Sequence, residues 1–466
     1  MSAHPQDLLA LSPAALAAHL RAEGVRRFCF TADPATGEVR SSHELLRPIA
    51  DALAADRVDF EGHEGLFFEV SALDDVLHGA FVHRTCRGQA QGGTRFWGYE
   101  RFGQMLNDGV RLSKGMTHKN ALAGLWWGGG KGVISRPASG DVVDPARRAA
   151  LFEEYGRFIS SLRGCYITAE DVGTHTADMA SIADETRFIT CIPKARGGSG
   201  NPSSATALGV VRGLEAAFAY AEGAREGAPE GAPEGNGSAP RGDLRGKTVV
   251  VQGAGNVGEV IITLLLERGA RVRATDISAE RLSALAARLA PTYGEALELT
   301  CTAPGDLSPL AWPCDALCPA AMGAVLTPAT IAALQTHIVC GAANNQLQDP
   351  ARDGAALAAR GVTYLPDFLV NRMGIVNCAN EQYGYVGADP SADPYFARHL
   401  GREWAQSVYQ TSLRVLARAE EQGTHPHAAA VALADELSRA PHPVWGHRGQ
   451  QIISALVAEG WAEGRA

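Results

Sequence analysis

No stretch of this 466-residue chain approaches the roughly 18 uninterrupted apolar residues that a helix needs to cross a bilayer. The opening residues MSAHPQDLLALSPAALAAHL lack a basic run before their apolar ones and carry Asp7 among them, which argues against a secretory leader and for a cytoplasmic protein. Clustered cysteines are lacking as well. The nine that occur are scattered from Cys29 to Cys378 without one CxxC pair, so buried reduced thiols are expected, and neither a disulfide framework nor a metal site. Basic excess is the third absence. Lys and Arg number 42 against 51 Asp and Glu, a net charge of -9 that offers nucleic acid no positive face.

What is present is length and pattern. A chain of 466 residues exceeds what one hydrophobic core organises, so two domains are expected. Ser12–Glu23 reads as a helix begun by Ser-Pro and stopped at Gly24, Gly79–Thr85 as a strand, and Glu100–Asn120 as a helix. The triplet Gly128-Gly129-Gly130 reads as a loop. After an Ala-rich helical run, Ala205–Ala221, comes GAREGAPEGAPEGNGSAPRGD, whose composition cannot offset its ordering entropy and predicts an exposed loop over 223–243.

Beyond that loop the pattern becomes strand, glycine turn, helix, strand, and continues in this alternation to about Asp367, which predicts a parallel doubly wound sheet. Gly253-Ala254-Gly255-Asn256-Val257-Gly258 is a GxGxxG that follows Val249-Val250-Val251 and opens a helix. Free N–H groups and a positive helix end then face any pyrophosphate, while the plain alternative is a tight strand–helix turn. The next strand ends at Asp276, where a carboxylate accepts from ribose hydroxyls and repels a 2′-phosphate. With no arginine directly after it, NAD is favoured over NADP.

The chemistry-bearing residues of the first half lie in GGTR (92–95), GMTHKN (115–120), GGGKG (128–132) and TAEDVG (168–173). Lys131 stands among Gly, Trp and aliphatic residues, where burial would disfavour its charge and move it toward the range of a base. A P-loop is excluded, because Gly132 stands where Ser or Thr is needed.

These motifs, together with RLSKGMTHKNALAGL, ITAEDVGT, GGSGNPSSATALGV, GAANNQL and NEQYGY in the same order, resemble the glutamate/leucine/phenylalanine/valine dehydrogenases from about Gly79 to Tyr385, and most closely the leucine, valine and phenylalanine branch. The resemblance implies an α/β fold with two domains around a cleft. Residues 1–200 would form a catalytic and oligomerisation domain, 201–372 a Rossmann NAD-binding domain, and 373–466 helices returning to the first. It implies NAD-dependent oxidative deamination of an L-amino acid to its 2-oxo acid with release of ammonia, in a homo-oligomer.

It also implies roles. Lys119 would hold the α-carboxylate, with Gly92 and Gly93 allowing close backbone approach; Lys131 would activate water; Asp171 would shuttle protons. Thr206 and Asn345 would contact the nicotinamide and the reacting end of the substrate, while Gln91, Ala169, Ile375 and Cys378 would line the side-chain pocket. Gln91 replaces an apolar residue of the branched-chain enzymes, Trp126-Trp127 replaces smaller ones, and Arg372 and Met373 interrupt the usual NAGG after Asn371. Gln91 either makes the pocket more polar or points to solvent, and Arg372 would bring a charge near. The competing classes are a glutamate-like or other polar amino-acid dehydrogenase, an unrelated oxidoreductase sharing the nucleotide domain, and a non-catalytic relative.

Overall fold

The computed structural model describes residues 5–33, 35–140, 142, 144–227, 241–384 and 393–464. Most of the low-complexity segment expected to form an exposed loop, residues 228–240, lies outside them. Contacts divide the chain into two compact units. One comprises Met1–Asn201, Glu381–Val386 and Asp435–Ala466, and the other Pro202–Asn380 and Gly387–Ala434.

The first unit is built on eight strands: β1 Arg27–Ala32, β2 Val39–Ser41, β3 Gly65–Val70, β4 Leu77–Arg84, β5 Ala90–Gln91, β6 Thr94–Trp97, β7 Gly128–Ser135 and β8 Tyr166–Ile167. They run in the order β2–β1–β3–β4–β7–β5–β8, with β6 alongside β7. The strands up to β4 are antiparallel, β4 pairs antiparallel with β7, and β5, β6 and β8 join in parallel. One face is covered by the helices Pro13–Ala22, Arg47–Ala55 and Phe102–Leu122, whose Leu16, Leu20, Leu53, Phe102 and Val110 bury against Phe28, Phe68 and Phe81. Ser12 caps the first of these by accepting from the Ala15 N–H at 3.2 Å, and Gly24, at φ +73°, ends it, as the Ser-Pro and Gly signals predict.

The reading of Gly128-Gly129-Gly130 as a loop is overturned: the triplet begins β7. Local propensity disfavours glycine in strands, but here the neighbours leave no room for anything larger. A Cβ on Gly128 would lie 2.1 Å from the Arg84 carbonyl, and one on Gly129 would lie 1.9 Å from Thr117 Oγ1 on the Phe102–Leu122 helix.

The second unit carries β9 Thr248–Gln252, β10 Arg271–Asp276, β11 Leu297–Cys301, β12 Ala316–Pro319, β13 Ile338–Cys340 and β14 Thr363–Leu365. Their order is β11–β10–β9–β12–β13–β14, and every pairing is parallel, as the alternating pattern predicts. Chain order reverses between β9 and β12, the switch point where open parallel sheets take their ligands, and the Gly253–Gly258 turn follows β9 there.

Every helix after residue 372 was expected to return to the first domain. The packing instead assigns residues 373–380 and 387–434 to the second unit, and the segment from Asp435 to the first. Tyr409 and Leu413, on the helix Val408–Glu421, bury against Ala216 and Ala219 of the helix Ser203–Ala221. This apolar stripe keeps the segment with the second sheet. Among the described residues no helix is long and apolar enough to cross a membrane. All nine cysteines are free thiols.

Candidate active site

Within the first unit, the sheet places Gln91, Gly92, Gly93, Lys131, Ala169 and Asp171 on adjoining strands and the turns that follow them. Gln91 pairs with Gly129 and Ile167, Gly92 N–H donates to the Ile167 carbonyl at 3.3 Å, and Thr94 N–H donates to the Ala169 carbonyl at 2.7 Å. Lys131 lies on β7 and is only 4% exposed. Its Nζ donates to Asp171 Oδ2 at 2.5 Å. Thr174 fixes the turn that presents Asp171: its hydroxyl accepts from the Asp171 N–H at 2.9 Å and contacts the Thr94 carbonyl at 3.1 Å. Burial alone would push the Asp171 carboxyl up, but Lys131 and Arg95 outweigh it and hold the group below its usual range.

The paired glycines serve the protein's own packing. A Cβ on Gly92 would fall 1.8 Å from the Gly130 carbonyl, and one on Gly93 2.6 Å from that of Glu170 and 2.8 Å from Asp171 Cβ. Any larger residue at 93 would displace the turn that carries Asp171. Lys119 lies half-buried in the last turn of Phe102–Leu122. The next residue, Asn120, ties that helix end to the glycine strand by donating to the Gly128 carbonyl at 2.6 Å.

Gln91 does not point to solvent. It is fully buried, and its pairing with Gly129 puts it on the sheet face that bears Phe102–Leu122. Neither its Oε1 nor its Nε2 has a hydrogen-bond partner among the described residues. Trp127 is buried, whereas Trp126 is partly exposed, with the Arg87 guanidinium 4.3 Å from its ring centre.

In the second unit, Gly253 adopts φ +101°, and its N–H donates to the Thr275 carbonyl at 2.7 Å. A Cβ on Gly258 would lie 2.0 Å from the Gly253 carbonyl, so strand and helix meet at closest approach. Around Gly255 the opposite holds: among the described residues nothing lies within 4 Å of an added Cβ. Asn256 is exposed and Val257 half-buried before the helix Gly258–Glu267. Asp276 ends β10, its Oδ2 accepting from Ala254 N–H at 2.8 Å and its Oδ1 from Ser278 N–H at 2.9 Å. The sequence places no arginine directly after it, yet one turn of the next helix brings Arg281 to 3.0 Å from the carboxylate. Burial would raise the Asp276 carboxyl; the two backbone donors and Arg281 hold it down. An open glycine position between two tight ones, beside an anchored carboxylate, fits a dinucleotide.

Asn345 is exposed at φ +53°, its N–H held by Asp367 Oδ2 at 3.1 Å. Asn371 donates to the Ala342 carbonyl at 3.0 Å and to Asn344 Oδ1 at 2.8 Å, so it braces that loop. Thr206 lies in the first turn of Ser203–Ala221 and faces Gly374, where a Cβ would lie 2.7 Å from its Oγ1. Ile375 and Cys378, three residues apart on the helix Met373–Gln382, are buried. Arg372 directly precedes that helix. It is fully buried, donates to the Gln406 carbonyl at 2.5 Å and to Thr411 Oγ1 at 3.2 Å, and burial lowers it to about 9.

Sequence reasoning missed Arg95, Asp108, Asn120 and Thr174. Arg95 stood inside a quoted motif; Asp108 carried no local signal.

A doubly wound parallel sheet with a glycine turn at its switch point, joined in one chain to a mixed sheet bearing a buried lysine–aspartate pair, defines a two-domain enzyme of the dehydrogenase type. Residues 75–188 match the dimerisation domain of the Glu/Leu/Phe/Val dehydrogenases, and residues 197–436 match the following Glutamate/Leucine/Phenylalanine/Valine dehydrogenase domain. Leucine dehydrogenase of Geobacillus stearothermophilus is 38% identical over 358 residues, 76% of this chain and 85% of the relative. Valine dehydrogenase of Streptomyces coelicolor is 35% identical over 390 residues, 83% of this chain and 94% of the relative. The crystal structure of L-tryptophan dehydrogenase from Nostoc punctiforme superposes with a TM-score of 0.62 at 29% identity, covering 81% of this chain and 96% of that one.

The chain belongs to the Glu/Leu/Phe/Val dehydrogenase family. It is an amino-acid oxidoreductase that deaminates its substrate oxidatively with a nicotinamide cofactor.

Proposed function

We propose that this enzyme interconverts an apolar L-amino acid of the leucine, valine or phenylalanine kind with its 2-oxo acid and ammonia, using NAD. The carrying observation is the Lys131–Asp171 pair at 2.5 Å, buried on a strand from which side chains have been removed on either side of the lysine. Packing alone does not ask for a buried charge there, and such charges cluster where protons move.

The α-carboxylate binds Lys119 beside the Gly92-Gly93 backbone. Lys131 takes a proton from the water that attacks the iminium carbon, and Asp171 carries protons to and from the amine as the carbinolamine collapses. NAD supplies the hydride acceptor. It is held by Gly253, Gly255, Asn256, Val257 and Gly258 at the pyrophosphate, Asp276 at the ribose, and Thr206 and Asn345 toward the nicotinamide. The Asp276 charge disfavours a 2′-phosphate; Arg281, paired with it, makes that discrimination moderate. Ala169, Ile375 and Cys378 line the side-chain pocket. The match to a dimerisation domain supports a homo-oligomer, and the free cysteines suit the reducing cytoplasm.

Following NADH absorbance with each common L-amino acid tests the reading. Turnover is expected with branched-chain or aromatic substrates and should fall roughly 10²–10⁴-fold in Lys131→Ala with NAD affinity retained. Near-wild-type activity in that variant would remove the central assignment.

A second reading has one specific observation in its favour. The unpartnered buried amide of Gln91 asks for a hydrogen-bonding group, which a polar substrate side chain supplies. On that reading Gln91→Leu shifts kcat/KM toward apolar substrates by about tenfold or more, the effect of an unpaired amide worth roughly 1–3 kcal/mol. An unchanged ratio leaves the apolar reading alone.

A further inference from the structure

The Lys131–Asp171 pair is joined by a third group that no role in the proposed chemistry uses. Arg95, on β6, lies with its Nε 3.5 Å from Asp171 Oδ2, the oxygen that also receives Lys131. Its far edge is pinned: NH1 donates to Asp108 at 2.8 and 3.1 Å, and Asp108 also accepts from the Tyr99 hydroxyl at 2.7 Å. The side chains of Arg95, Asp108 and Asp171 are only 21%, 13% and 19% exposed. Among the described residues the buried Arg95 Nε has no hydrogen-bond partner, and the Asp171 carboxylate lies within its reach.

We propose that Arg95 is a positioning residue for the reaction: anchored by Asp108, it supplies Asp171 with a permanent second cation. The inference rests on the roles proposed above for Lys131 and Asp171. A lysine acting as base must spend part of each cycle neutral, and a buried carboxylate facing a neutral amine would draw a proton to itself. Arginine does not deprotonate at working pH. Asp171 therefore keeps one positive neighbour in either state of Lys131 and stays ionised, ready to accept. Asp108 does for Arg95 what Arg95 does for Asp171, balancing its charge and fixing its plane. Among the described residues, Asp171 has as further titratable neighbours Tyr166 on β8, Tyr99 after β6 and the adjacent Glu170, while Asp108 also meets the Arg111 guanidinium at 3.8 Å. The two tyrosines are pushed above their ordinary range by burial, and Glu170 is raised by burial as well. None of the three supplies a cation in Arg95's place.

The test is the pH profile of kcat/KM, whose acid limb reports the group that must be ionised in the free enzyme. An adjacent arginine lowers an aspartate by roughly one to three units. In Arg95→Gln the acid limb should move to higher pH by about one unit or more, with KM changed much less than kcat, while Arg95→Lys keeps the limb near its wild-type position. A folded Arg95→Gln with a wild-type limb overturns the proposal, and so does Arg95→Lys shifted as far as Arg95→Gln, since shape rather than charge would then be what matters. Should Arg95→Gln not fold because Asp108 is left unpaired, the double variant Arg95→Met/Asp108→Asn removes the whole pair. That pair turns its positive end toward Asp171, so its loss shifts the limb in the same direction by a smaller amount, and an unmoved limb is again fatal. The parent reading fails separately: it falls if Lys131→Ala remains active, whatever Arg95 does.

Discussion

Two glycine runs stand beside two aspartates in this molecule, and they use the same residue for opposite ends. In the first unit, Gly128, Gly129, Gly130 and Gly132 flank Lys131 on β7, and an added Cβ at any of the four would lie between 1.9 and 2.6 Å from a neighbouring atom. Those glycines are filled space: the surrounding chain has moved in to where side chains would be. In the second unit, Gly253 supplies a backbone angle that L-residues rarely adopt, Gly258 a close crossing, and Gly255 an opening. The first run brings protein against protein around a lysine, and the second leaves one place where the backbone is bare. Composition alone does not tell the two apart; the neighbours do.

Substitution by alanine separates these uses, beginning with the most crowded position. Gly129→Ala sets a methyl 1.9 Å from Thr117 Oγ1 and 2.3 Å from the Thr117 backbone nitrogen, so a helix must move as well as a side chain. The expected loss is about 3 kcal/mol or more, toward the upper end for overpacking, read as a lower urea midpoint. A midpoint close to wild type would mean that β7 and the Phe102–Leu122 helix are not in such close contact.

Gly253→Ala comes next. Its φ of +101° strains any L-residue, and the methyl would also meet Ala321 Cβ at 2.7 Å. Roughly 1–3 kcal/mol should be lost, less than at Gly129 because one small side chain is the nearest obstacle. Equal losses at the two sites would erase the distinction between a packing glycine and a conformational one.

The same contrast explains what the sequence made legible. The Rossmann sheet was readable because its evidence is local: a strand, a turn, a helix and an acid follow one another between Thr248 and Asp276, each in its ordinary propensity. The lysine–aspartate pair was not local, and Lys131 and Asp171 were drawn together by resemblance to a family, not by pattern. Gly128–Gly130 was misread because glycine's own preference is for a loop, and it is the crowding by Arg84 and Thr117, both more than ten residues earlier in the chain, that makes a strand of it. Asp108 gave no sign, since a surface-type residue in a helix becomes an anchor for Arg95 only when β6 is laid beside it. Arg372 likewise shows its partners only in the fold, where it donates to the Gln406 carbonyl and to Thr411 Oγ1.

Gly255→Ala is the smallest change in stability and the sharpest for function. Its φ is not in the left-handed region, so alanine fits the backbone without strain, and among the described residues no atom within 4 Å opposes the methyl. Replacing glycine at such a site removes freedom from the unfolded chain, which stabilises by about 0.4–1 kcal/mol. The fold should therefore be unchanged or slightly firmer. Nucleotide binding should suffer, because the bare backbone at 255 is where a pyrophosphate would approach, and a methyl there pushes it off the helix N-terminus. Titrating NADH against the purified variant by fluorescence should show affinity reduced about tenfold or more, with an unfolding midpoint at or above wild type. Loss of stability would show the position to be packed after all. Retained affinity would show that the Gly253–Gly258 turn, for all its fit, does not hold the cofactor's phosphates, and the contrast between the two glycine runs would then be one of geometry without a ligand behind it.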